Sequence, residues 1–88
     1  MIRRRVVVHG RVQGVFFRDS VRRRAAQRRV GGWVKNVPDG TVEAVFEGEP
    51  DAVERLVAFC REGPRDADVD RVDVYDESPE GVSGFTTR

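Results

Sequence analysis

The apolar residues of this chain change period between residues 41 and 63, and that change limits its possible folds more than any other feature. From Thr41 to Glu47 they alternate, with Val42, Ala44 and Phe46 on one side, the pattern of a half-buried strand. Val53, Leu56, Val57 and Cys60 then follow i, i+3, i+4, i+7 spacing, the stripe of an amphipathic helix. Pro50 suits the first turn of that helix, and Gly63-Pro64 stops it.

The other elements follow from the same reasoning. Residues 3–9 read as a strand, with Val6 and Val8 on one face and Val7 on the other. A helix is predicted from Arg18 to Arg29. Asp19 and Ser20 suit its first turn, Val21, Ala25, Ala26 and Val30 give a narrow apolar stripe, and Gly31-Gly32 ends it. Trp33 to Val37 is a second strand. It is joined to Thr41–Glu47 as a hairpin by Pro38-Asp39-Gly40, where proline sets φ and glycine accepts a positive φ. Val69 to Tyr75 returns as a strand, residues 76–82 are a polar connection, and Phe85 to Thr87 add a short final strand. The order strand, helix, strand, strand, helix, strand predicts an α+β fold. It is the ferredoxin-like split βαββαβ sandwich, with two helices on one face of a mainly antiparallel sheet. With no internal repeat and no linker, residues 1–88 are expected to form a single domain.

Composition narrows the function classes. An apolar fraction of 39% with 35% charged residues suits a globular chain, not a disordered one. No apolar run approaches the ~20 residues that cross a bilayer. Only three valines follow the basic Arg3-Arg4-Arg5, short of the roughly 7–15 apolar residues of a secretory signal. The one cysteine, Cys60, cannot form an internal disulfide and reads as a small core residue, so the expected setting is the cytoplasm. His9, the one histidine, reads as structural, and with a distant Cys60 it does not supply a zinc or di-metal ligand cluster. No metal and no cofactor are expected. Charge is unevenly spread: residues 1–30 hold ten arginines against one acid, Asp19, a net +9, while the remainder nets −8. Either this is a positive field that draws in an anion, or it is a solvated face in an arginine-rich chain.

The stretch Gly10-Arg11-Val12-Gln13-Gly14-Val15-Phe16-Phe17-Arg18 carries the chemistry. A glycine-containing loop between a strand and a helix N-terminus leaves backbone N–H groups unpaired, and the helix dipole adds positive character. Arg18 places a guanidinium, able to grip two oxygens, at the mouth of that trap. The pattern fits a phosphate or carboxylate ligand. It lacks the Gly-Lys-Ser/Thr ending of a nucleotide P-loop and the three-glycine dinucleotide spacing. Asn36 is the second candidate. It lies two positions after Val34, on the same strand face, where it either ends a buried face at the rim of a cavity or starts the turn at Pro38.

That nine-residue run, followed by Gly32-Trp33-Val34-Lys35-Asn36 and Asp39-Gly40-Thr41-Val42-Glu43, resembles the acylphosphatase family. Gly63-Pro64, Ala67, Val69 and Phe85 extend the resemblance from about Val6 to Phe85. The resemblance implies hydrolysis of a carboxyl-phosphate anhydride to a carboxylate and inorganic phosphate. It assigns phosphate binding to Gln13, Gly14, Val15, Phe16, Phe17 and Arg18, and water positioning to Asn36, eighteen residues after Arg18. It implies that the substrate's own phosphate accepts the water proton, without a metal or a cofactor. The expected partners are a small acyl phosphate and inorganic phosphate as product and inhibitor, with no membrane and a monomeric chain. The alternative is a non-catalytic anion- or nucleic-acid-binding module on the same fold. The strand Arg5–His9 lacks the aromatics that RNA-binding sheets expose, so nucleic acid is not expected. The chain departs from the family at Arg28-Arg29, where relatives carry a Leu-Gly pair whose glycine would supply a left-handed helix end.

Overall fold

The computed structural model describes all 88 residues, Met1–Arg88. The elements run β1 (Ile2–Arg11), α1 (Phe17–Gln27), β2 (Gly31–Asn36), β3 (Val42–Gly48), α2 (Pro50–Glu62), β4 (Asp68–Glu77) and β5 (Phe85–Thr87). They form one sheet in the order β4-β1-β3-β2-β5. β1 pairs antiparallel with β3 and β4, and β2 with β3; only β5 lies parallel, alongside β2. This is the α+β ferredoxin-like arrangement that the element order predicts.

The two periods meet in one core. Val6 and Val8 of β1, Val34 of β2, and Val42, Ala44 and Phe46 of β3 share a cluster with Val21 and Ala25 of α1 and Val53, Leu56, Val57 and Cys60 of α2. Both helices therefore bury their stripes in the same apolar layer. Phe17 heads the α1 stripe and is buried, whereas Ala26 faces solvent. Burial of the Cys60 thiol pushes its pKa up to about 12, so it is an inert core group.

The end of α1 differs from the expectation. The helix stops at Gln27, and Arg29, not a glycine, takes the left-handed conformation, with φ 56°. Gly31-Gly32 is not the terminator but the start of β2. Close approach demands glycine there: a Cβ on Gly32 would run into the Val45 carbonyl oxygen, and one on Gly31 into that of Val82.

The arginine-rich start is resolved by the acidic remainder. Arg3 reaches Glu77 at 2.9 Å and Glu47 at 3.2 Å, Arg4 reaches Asp76 at 3.0 Å, and Arg5 reaches Glu77 at 3.1 Å and Glu43 at 3.3 Å. These cross-strand pairs hold the sheet in register. Arg3, Arg4 and Arg5 are thus committed to the fold and are not a free positive field. Glu47, only 1% exposed, also accepts backbone N–H bonds from Glu80 at 2.9 Å, Gly81 at 2.7 Å and Val82 at 2.9 Å. The Glu80 amide, helped by Arg3 and the other two amides, holds its carboxyl below the ordinary range despite burial. Of the expected polar connection at residues 76–82, the first two residues belong to β4, and the rest is a strap wrapped on this carboxylate.

Candidate active site

The site begins where β1 leaves the sheet. Its pairing with β4 shifts register between His9 and Gly10, and the strand ends at Arg11. Beyond it Val12 is buried, Gly14 takes φ 73°, and Phe16 takes φ 63° and ψ 24°. A left-handed backbone is rare for a bulky residue and costs about 1–3 kcal/mol. It turns the chain sharply so that Phe17 drops into the core, its ring centroid 6.3 Å from that of Phe59, and opens α1.

That helix start carries no side-chain cap. None of the backbone hydrogen bonds formed outside helices and strands is donated by residues 13–19. A row of N–H groups therefore lies unpaired at the positive end of the helix dipole, the arrangement that binds anions.

A cleft of about 390 Å³ opens at this point, lined by Gly14, Phe16, Phe17, Arg18 and Asn36. Arg18 is exposed, and its Nη1 donates to the Arg88 main-chain oxygen at 3.1 Å; no Asp or Glu side chain pairs with it. The Arg88 N–H donates to the Val34 carbonyl at 2.8 Å, so β5 and the chain after it brace the guanidinium from β2. Asn36, the last residue of β2, is half-buried, and its side-chain amide has no hydrogen-bond partner within the chain. Two candidates predicted from different elements thus face one cavity. The side chains of Gln13 and Val15 do not line it. The Gln13 side chain points into the turn between β2 and β3, and Val15 packs partly buried against the core.

Val12, Asp19, Arg22 and Thr87 also line the cleft, which the sequence did not show. Arg22 could have been found, since it follows Arg18 at i+4 on the same helix face. It is held by Asp19 at 2.8 Å, and Arg23 reaches the same carboxylate at 3.2 Å. The Arg22 hydrogen bond is the main cause holding the Asp19 carboxyl below its ordinary range. His9 lies 3.0 Å from Asp73 and 3.2 Å from Arg71, in a surface cluster that does not line the cleft. No three His, Cys, Asp or Glu side chains are grouped to hold a metal ion.

The acylphosphatase family model matches residues 4–87, nearly the whole chain. The chain belongs to the acylphosphatase family. An acylphosphatase of Rubrobacter xylanophilus is 59% identical over 85 residues, covering 96% of this chain and 77% of that protein. One of Haloarcula marismortui is 54% identical over 86 residues, covering 98% and 94%. Among solved structures, the acylphosphatase from Bacillus subtilis superposes with a TM-score of 0.95 at 38% identity, covering 100% of this chain and 99% of that one. The acylphosphatase from Coxiella burnetii superposes with a TM-score of 0.94 at 42% identity, over 99% and 92%. No helix of this acylphosphatase-family chain is long and apolar enough to cross a membrane.

Proposed function

We propose that this chain hydrolyses acyl phosphates, with Arg18 and the loop amides of residues 13–18 holding the phosphoryl oxygens and Asn36 orienting water. The observation that carries this reading is one cleft lined both by a guanidinium without an Asp or Glu side-chain partner and by an asparagine amide without any partner. Water attacks phosphorus in line with the acyl oxygen. The bond between phosphorus and that oxygen breaks, the carboxylate departs with the electron pair, and the water proton passes to a phosphate oxygen. Positioning and charge stabilisation supply most of such a reaction. A carboxylate is a good leaving group, so no strong general acid is required. The one carboxylate of the cleft, Asp19, is engaged by Arg22 and Arg23.

The same reading makes inorganic phosphate a competitive inhibitor at the loop and the protein an active monomer in a reducing cytoplasm, with Cys60 unpaired and buried. The test is phosphate release from acetyl phosphate and benzoyl phosphate, with and without a chelator. Turnover that survives chelation and is inhibited by phosphate supports it. Loss of turnover on chelation, restored by added metal, overturns it.

A further inference from the structure

We infer that the Phe16 ring is the binding surface for the acyl half of the substrate, and that this half is an uncharged, flat or apolar group; the inference rests on the acyl phosphate reading above. Phe16 is 77% exposed, more than Met1 at 67% or Tyr75 at 44%. The Tyr75 ring is covered by the Arg5 guanidinium at 4.4 Å, whereas no ring or cation stacks on Phe16. Its neighbours turn the other way: Val15 packs against the core and Phe17 is buried in it. The left-handed backbone at Phe16, φ 63°, is what sets its ring outward on the cleft wall. With the phosphoryl group on the loop amides and Arg18, the Phe16 ring is the exposed apolar surface that the same cleft offers to the acyl half.

Charge in the cleft decides between kinds of acyl group. Its two cations are Arg18 and Arg22. Arg22 is taken up by Asp19 at 2.8 Å, and Arg18 is matched by the phosphoryl group. An acyl half with its own carboxylate or phosphate would have to compete with Asp19 for Arg22 or with the phosphoryl group for Arg18. An apolar planar group instead covers an exposed aromatic face and leaves water with it.

The test compares kcat/KM for benzoyl, acetyl and succinyl phosphate in the unmodified protein and in Phe16→Gly, Phe16→Asn and Phe16→Tyr. Glycine and asparagine both accept the left-handed conformation, so two ring-less variants keep the loop path, and melting curves check their folding. Rates on every substrate can shift, so the readout is the benzoyl-to-acetyl ratio. It should fall roughly 2- to 10-fold in both ring-less variants, the worth of one aromatic contact, and stay near the original in Phe16→Tyr. An unchanged ratio in the ring-less variants overturns the inference, as does a preference of the unmodified protein for succinyl phosphate. Hydrolysis of none of the three substrates would instead sink the acyl phosphate reading itself.

Discussion

Gln13 Nε2 donates to the Val37 carbonyl oxygen at 2.7 Å and to that of Thr41 at 2.9 Å. The loop that ends in Arg18 and the turn that follows Asn36 are therefore one hydrogen-bonded unit. Asp39 stiffens the turn by accepting from the Thr41 N–H at 2.9 Å and the Thr41 hydroxyl at 2.7 Å. Gln13→Met keeps the bulk and removes both donations. Each bond is worth about 0.5–1.5 kcal/mol, so the melting temperature should fall by several degrees. Because loop and turn then move independently, kcat should fall by about tenfold. A variant with native kcat at full folding would separate this brace from the chemistry.

Arg18→Ala should lower kcat/KM by on the order of 10²-fold or more. The melting temperature should barely move, because the side chain is exposed and gives up one bond to the Arg88 carbonyl. Arg18→Lys should fail almost as badly, since a point charge cannot grip two oxygens in a plane. Near-native turnover by either variant would remove Arg18 from the site.

For Asn36→Ala the structure favours mechanism over folding, since the amide has no partner to lose. Expected is a strong drop in kcat with phosphate inhibition close to normal and an unchanged melting curve. A destabilised but fully active protein would return Asn36 to the role of a turn residue.

Carboxyls of Glu47, Glu77, Asp73, Asp39 and Asp19 all lie below their ordinary values in the folded chain. A lowered folded-state pKa gives stability above the unfolded pKa, about 4 for these groups, that is lost as pH falls through the folded one. Acid titration followed by circular dichroism should show stability dropping from about pH 5 downward. Glu47→Gln should flatten part of that slope. It should also cost roughly 2–4 kcal/mol at neutral pH, because Arg3 and three N–H groups lose their buried anion. An unaltered acid profile in Glu47→Gln would mean that this carboxylate is not a main source of the slope.

Arg29→Gly should stabilise the chain by about 1 kcal/mol, since glycine takes a positive φ without the steric penalty of a side chain. In a domain of this size that is a rise of roughly 4–8 °C in melting temperature. Acyl phosphate turnover should be unaffected, because Arg29 does not line the cleft. A fall in stability would mean that the arginine side chain contributes more than its backbone strain removes.

Features that depend on local period were legible in the sequence. The α2 stripe from Val53 to Cys60, the Pro38–Gly40 turn and the β3 alternation all sit where spacing places them. The role of Gly31-Gly32 is not legible in the sequence, because a glycine pair after a helical stretch looks the same whether it ends the helix or makes room for Val45 and Val82. The pairing of Arg3, Arg4 and Arg5 is not legible in the sequence because their partners lie far off: Glu77 is 74 residues from Arg3. In the site, the loop and Arg18 could be found from a continuous motif, and Asn36 from a second block eighteen residues after Arg18. Thr87 could not, because it reaches the cleft only through the parallel pairing of β5 with β2.

That late-arriving strand has a consequence for how the molecule comes into being. β1 is made first, yet it lies between β3 and β4, and the Arg88 carbonyl that braces Arg18 is 70 residues further on. Closing contacts so distant along the chain is slow compared with helix formation. On the ribosome the phosphate loop therefore exists as sequence long before it can exist as a pocket. A chain lacking only residues 85–88 loses β5 and the Arg88 contact while keeping the strap on Glu47, and should fold yet turn over substrate more slowly than the whole chain.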